Sequence, residues 1–270
     1  MSPQRATLAY ARRFTGITEC TRMTLMSGSN SWALNTEHPV LGASEIHVWR
    51  AYLDCEESVL RQFEATLAAD EKDRASRFHF QRDRNSFIAA RGVLRELLGR
   101  YLNRSPAQLE FCYSPLGKPA LRREPLEGSV QFNVSHSHGL ALFSFAIERQ
   151  LGVDVELIRP DFGGEEIAER YFSPREIMEL RALPSSLRAE GFFLCWTRKE
   201  AYVKARGEGL HIPLDSFHVS LTPGHPARLQ SEDSSRWILR SLCPDPRYTG
   251  ALVGEGSEWQ LRHWDWKPLG

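Results

Sequence analysis

Cysteine is scarce. The five residues, Cys20, Cys55, Cys112, Cys195 and Cys243, are odd in number and scattered, with no CxxC pair and no metal-ligand spacing. That excludes a disulfide framework and a thiolate metal centre, and it fits reduced thiols in a cytoplasmic protein. Excess charge is absent too: 34 Lys plus Arg balance 34 Asp plus Glu, which argues against a general nucleic-acid binder. No apolar run approaches the roughly 20 residues needed to cross a bilayer, and no charged start, apolar centre and small-residue cleavage site marks a signal peptide. Neither nucleic acid nor membrane is therefore expected as a partner.

What is present is an ordinary globular composition. The 270 residues are 41% hydrophobic and 25% charged, enough for one large domain or two modest ones. The balanced charge is unevenly spread. From Lys72 to Arg123, 12 basic residues face 4 acidic ones, a surplus of 8; from Leu151 to Glu190, 5 face 9, a deficit of 4. A basic segment followed by an acidic one suits a polyanion held on one side and a metal ion on the other.

Residues 1–43 carry four Arg, many Ser and Thr and no sustained periodicity, and read as a flexible extension. Order is expected from about Glu45, where Ile46 to Leu53 alternates as a strand. A helix follows from Glu56 to Leu67, then a charged helical turn from Asp70 to Arg77. A helix from Asn85 to Tyr101 places Phe87, Leu94, Leu98 and Tyr101 on one stripe. Arg91 shares that stripe, and either snorkels outward or turns toward an anion in a cleft. Pro115, Gly117 and Pro119 predict a turn presenting Lys118. Val130 to Val134 reads as a strand that ends in Ser135-His136-Ser137-His138-Gly139, so polar residues crowd a connection before the apolar strand Leu140 to Ile147.

Leu151 to Ile158 is the clearest strand. Leu151, Val153, Val155 and Leu157 face one way, Gly152, Asp154 and Glu156 the other. The two carboxylates are then about 7 Å apart, close enough to serve one cation if a third ligand arrives from elsewhere. A helical region from Glu165 to Leu183 leads to the helix containing Phe192 to Lys204, ending at Gly207 or Gly209. Phe192, Trp196, Lys199, Glu200 and Val203 share one side of it, and the Glu200–Lys204 spacing allows an intrahelical ion pair. Glu200 is the third-ligand candidate. Oxygen-only ligands favour Mg²⁺, with Mn²⁺ as a substitute, and a substrate that brings its own phosphate. Zn²⁺ on His136 and His138 is a weaker alternative, because alternate strand residues must converge for it. Short strands are expected at Phe217 to Leu221, Trp237 to Leu242, Ala251 to Val253 and Trp259 to Trp264. Each half thus runs strand, charged helices, strands, which suggests an internal duplication with a boundary near Gln150.

Four stretches in this order resemble the Sfp-type 4′-phosphopantetheinyl transferases: Gly117-Lys118-Pro119, Phe132-Asn133-Val134-Ser135-His136-Ser137, Gly152-Val153-Asp154-Val155-Glu156 and Trp196-Thr197-Arg198-Lys199-Glu200-Ala201-Tyr202-Val203-Lys204. The resemblance spans about Glu45 to Trp266. It implies an α+β pseudo-dimer of two similar subdomains, 44–150 and 151–270, with the active site at their interface. It also implies transfer of the phosphopantetheine arm of coenzyme A, as co-substrate, to a serine of an apo acyl or peptidyl carrier protein. On this resemblance Asp154, Glu156 and Glu200 correspond to metal ligands, and Glu200 also to the base for the carrier hydroxyl. Arg74, Lys118, Asn133, Ser135 and His136 correspond to coenzyme A contacts, with Lys72, Arg77, Arg82 and Arg84 competing for the role of Arg74. His136 counts among the catalytic groups, and Lys204 corresponds to the lysine serving the departing 3′,5′-ADP. A monomer is implied, since one chain holds both halves of the site. Two other classes compete: a non-catalytic carrier-protein or nucleotide-binding module, and a Ser-His-acid hydrolase built on Ser135, His136 and Asp154, which lacks a Gly-x-Ser-x-Gly elbow.

Overall fold

The computed structural model describes residues 32–34, 39–115, 117–122, 130–209 and 212–268. Most of the stretch read as an extension lies outside them. Within it, Trp32 donates its indole N–H to the Cys243 carbonyl at 2.9 Å, and Ala33–Leu34 forms a short strand, β1.

The first half runs β2 (Glu45–Tyr52), α1 (Glu57–Thr66), α2 (Ala69–Ser76), α3 (Gln81–Leu102), a small hairpin of β3 (Phe111–Tyr113) and β4 (Pro119–Leu121), then β5 (Val130–Ser137) and β6 (Leu140–Ile147). The second runs β7 (Leu151–Leu157), α4 (Glu165–Tyr171), α5 (Pro174–Ala182), α6 (Ser185–Arg206), a minor pair β8 (His218–Val219) and β9 (Leu229–Gln230), then β10 (Trp237–Leu242) and β11 (Tyr248–Glu255). The plan repeats in detail. Each half has a 22-residue main helix, α3 or α6. In each, the opening strand pairs antiparallel with the second strand of the closing hairpin, giving the orders β2-β6-β5 and β7-β11-β10. This is the duplicated α+β architecture expected. The last strand, β12 (Gln260–Asp265), crosses back and pairs parallel with β2, and β1 adds outside it. The first sheet is therefore completed by the far end of the chain.

Three apolar clusters explain the sequence patterns. Along β2, Trp49 and Ala51 face α3, whereas Ile46 and Val48 face the second sheet. Along β6, Ala141, Phe143 and Phe145 join the first set, while Leu140, Leu142 and Ala146 join the other. A sheet buried on both faces needs a continuous apolar run, which is what Leu140 to Ile147 supplies. Val153 and Val155 of β7 and Leu252 of β11 close the shared cluster from the second half, and Ala251 and Val253 face α6. The halves are thus joined by an apolar sheet-to-sheet core.

Elements expected as single units resolve more finely. The helical region before α6 is two helices, broken where Ser173 caps α5 in a reciprocal box with Glu176 and Pro174 enters its first turn. Helix α6 begins at Ser185, earlier than its charged motif, and stops at Gly207 in the left-handed conformation (φ 74°). Arg91 does not snorkel: it is buried, with Nε 3.3 Å from Glu71, which also holds Arg95. Among the described residues no helix is long and apolar enough to cross a membrane.

Candidate active site

The site forms where the edge strand of one sheet, β5, lies beside the edge strand of the other, β7, under helix α6. Two local facts make this possible. Gly152 has no side chain, and a Cβ there would stand 2.2 Å from the Ala201 carbonyl oxygen and 2.3 Å from the Ala205 nitrogen. Helix α6 therefore sits directly on the polar face of β7, with Glu200 and Lys204 above Asp154. The other residues of its motif turn away and anchor it. Lys199, fully buried, pairs with Glu176 at 2.8 Å and donates to the carbonyls of Leu214 and Phe217. Arg198 donates to the Ser220 carbonyl at 2.7 Å. The helical wheel alone grouped Lys199 with Glu200; burial separates their tasks.

The second fact concerns β5, which does not end at Val134 but continues through Ser137, so the turn is only His138 and Gly139. Regular alternation then carries Asn133, Ser135 and Ser137 toward β7. The Asn133 side-chain oxygen accepts the Val153 N–H at 2.9 Å. Ser135 donates to Asp154 Oδ1 at 2.7 Å. Ser137 donates to Glu156 Oε2 at 2.6 Å. Successive bonds advance two residues along β5, and the two hydroxyl–carboxylate bonds also advance two residues along β7, so these side chains link two sheet edges that share no ladder.

Lys204 reaches Asp154 Oδ1 at 2.6 Å and Ser135 Oγ at 3.0 Å, rather than closing on Glu200 within its own helix. Glu156 and Glu200 both have raised pKa values: burial is the larger cause for each, and the Asp154 charge adds to it. Lys118 Nζ donates to the carbonyl of Lys204 at 2.7 Å and toward that of Leu151 at 3.4 Å. Burial first, then the Lys204 charge, lowers its pKa to about 8. His136 lies on the opposite face of β5 from Ser135, open to solvent. One side of the ring is nonetheless covered by protein, and this partial desolvation first, then the Lys204 and Arg74 charges, lowers its pKa. Arg74, exposed in the last turn of α2, stacks its guanidinium over Phe87, 5.4 Å from the ring centroid. Arg84 instead pairs with Glu64.

The structure thus gathers Ser135, Asp154, Glu156, Glu200 and Lys204, with Lys118 beneath and His136 and Arg74 along the rim. It ties Asn133 and Lys118 to backbone groups. Ser137 is a further contributor, signalled in the sequence by its place two residues after Ser135 on one strand face. A serine-hydrolase arrangement is overturned: Ser135 donates to Asp154 and accepts from Lys204, and its neighbour His136 points to the other face. Zinc between His136 and His138 is not supported either, since among the described residues no three His, Cys, Asp or Glu side chains are grouped closely enough to hold a metal ion. The same holds for the three carboxylates as placed. Their chemistry nonetheless fits a hard divalent cation. Asp154 Oδ2 is buried without a hydrogen-bond partner, the donors are all oxygen, and the carboxyls repel one another in partial burial.

Comparison with known proteins agrees with this geometry. Residues 150–263 match the 4′-phosphopantetheinyl transferase superfamily model, and residues 54–145 match that for the N-terminal part of a 4′-phosphopantetheinyl transferase. The chain is 41% identical to the 4′-phosphopantetheinyl transferase HetI of Nostoc sp., over 87% of this chain and 98% of that one. A putative 4′-phosphopantetheinyl transferase of Synechocystis sp. is 37% identical over 66% of this chain and 73% of its own length. The 4′-phosphopantetheinyl transferase Sfp of Bacillus subtilis is 27% identical over 71% and 83%. Two matches that meet at the junction of the duplicated halves, with a relative covered nearly end to end, establish that this chain belongs to the Sfp-type 4′-phosphopantetheinyl transferase family.

Proposed function

We infer that this enzyme transfers the 4′-phosphopantetheine arm of coenzyme A to a serine of an apo acyl or peptidyl carrier protein, releasing 3′,5′-ADP, and that it requires Mg²⁺. The observation that supports the reading is the Lys204 ammonium on Asp154, with Glu156 and Glu200 within electrostatic reach of both, the charge pattern a pyrophosphate-cleaving transfer needs.

Asp154, Glu156 and Glu200 would hold the cation, whose contribution is to neutralise the pyrophosphate oxygens. The chain's own groups do the rest. Glu200 accepts the proton of the carrier serine hydroxyl; burial and the Asp154 charge raise its pKa toward the working range of a general base. The serine oxygen attacks the β-phosphorus, forming the new ester as the bond to the α-phosphate oxygen breaks. Lys204 neutralises or protonates the departing 3′,5′-ADP. Ser135 and His136 contact the substrate phosphates, Arg74 the nucleotide end, and Lys118 and Asn133 support the seam from which those contacts are made. Residues 44–150 then supply the coenzyme A side and 151–270 the carboxylate side. A site complete within one chain supports a monomer, and scattered reduced cysteines support a cytoplasmic location.

Intact-mass measurement of an apo carrier protein incubated with the enzyme, coenzyme A and Mg²⁺ tests this. A gain of one phosphopantetheine, abolished by EDTA and by Asp154→Ala, is expected. No gain across acyl and peptidyl carriers with folded enzyme would favour a binding module, and full activity of Asp154→Ala would remove the metal assignment.

A further inference from the structure

We propose that Ser137 is a positioning residue that orients the Glu156 carboxylate for the cation. This rests on the metal-ligand reading of Glu156 given above. Ser137 is 7% exposed, and its hydroxyl has one proton and two acceptor sites. The backbone N–H of Leu157 approaches Ser137 Oγ at 3.4 Å, and His138 Nδ1 lies 3.0 Å from it. The Leu157 N–H takes an acceptor site and an ionised carboxylate can only accept, so the single hydroxyl proton is directed to Glu156 Oε2 at 2.6 Å. One carboxylate oxygen is thereby held and the other is left for a ligand role.

The main-chain setting makes the hold rigid. Glu156 lies near the end of β7, where its ladder partner is Thr249 of β11. On the other flank the next strand is β5, which contributes side chains rather than backbone bonds. Ser137 is the last residue of β5, and the turn beyond it is fixed by the Tyr248 hydroxyl, which donates to the His138 carbonyl at 2.8 Å. The hydroxyl is thus braced by its own turn, by β7 and by β11. Ser135 makes the equivalent bond to Asp154 but shares that oxygen with Lys204. Glu156 has no such lysine, so among the described residues Ser137 is the side chain that fixes it by a hydrogen bond. A hydroxyl that holds a metal-binding carboxylate typically contributes about 10–100-fold in metal affinity.

The test is Mn²⁺ binding followed by loss of the free-ion electron paramagnetic resonance signal, with coenzyme A present, on the full chain and on Ser137→Ala, Ser137→Thr and Glu156→Gln. Ser137→Ala is expected to raise the Mn²⁺ dissociation constant about tenfold, with the transfer rate restored by excess Mg²⁺. Ser137→Thr, which keeps the hydroxyl, is expected to bind as the parent does. An unchanged dissociation constant in Ser137→Ala, or equal weakening in Ser137→Thr, overturns the proposal while leaving the function intact. Parent and Glu156→Gln binding Mn²⁺ equally would instead overturn the ligand role of Glu156, and this proposal with it.

Discussion

Replacing Gly152 with alanine probes the contact that creates the site. The added Cβ would lie 2.2 Å from the Ala201 oxygen, 2.3 Å from the Ala205 nitrogen and 2.9 Å from the Lys204 carbonyl carbon. All three are backbone atoms of α6, so no side-chain rotation relieves the clash. Cβ contacts essentially never fall below 3.0 Å and are ordinary from 3.4 Å, so helix and strand must separate by at least 3.0 − 2.2 = 0.8 Å, and by 3.4 − 2.2 = 1.2 Å to reach ordinary contact. Overpacking of this kind costs about 1–3 kcal/mol. The displaced segment carries Glu200 and Lys204, and a shift of about 1 Å at reacting groups costs on the order of 100-fold in rate. The expected outcome is a lower urea midpoint together with a kcat/KM reduced about 100-fold under conditions where the variant is still folded. Carrier loading followed by mass spectrometry reads the rate, and far-ultraviolet circular dichroism the unfolding. Parent-like stability and rate would refute the direct seating of α6 on β7. Lost stability with an unchanged rate would show that the helix yields without moving its functional residues.

Glu71 is buried between Arg91 and Arg95, 1% exposed. Removing it in Glu71→Ala leaves two inward guanidinium groups without their carboxylate and is expected to cost about 3–5 kcal/mol in denaturant unfolding; a loss under about 1 kcal/mol would mean solvent reaches both. Lys118 gives a pH signature. Its pKa is lowered from 10.5 to about 8 in the folded chain, so between those values the unfolded chain binds more protons, and this group's contribution to stability rises with pH. Lys118→Met should flatten that rise across the window, and parallel stability curves for parent and variant would count against it.

How far the sequence led depends on what each residue's neighbours are. The strand 151–157 was legible because β7 has one apolar and one polar face, so period-two alternation shows directly that Asp154 and Glu156 point together. The doubly buried β6 was legible as an apolar run. The end of β5 was not: serine and histidine are read as turn residues, yet Ser135 and Ser137 are paid for in strand geometry by the carboxylates of β7, a partner 19 positions away in sequence. Arg91 and Lys199 also misled the helical wheel, because their countercharges Glu71 and Glu176 come from other helices.

By itself the sequence determined the duplicated order of elements, the polar face of β7, the spacing of Glu200 and Lys204, and four motifs specific enough to point to a family. These are local properties, set by side-chain periodicity and by residue type at fixed spacing. Only the tertiary structure decided that β12 completes the first sheet, that Gly152 admits α6 onto β7, and that Lys204 answers Asp154 in place of Glu200. Those outcomes depend on which surfaces meet across long stretches of chain, and no residue's identity encodes the neighbour that burial will bring to it.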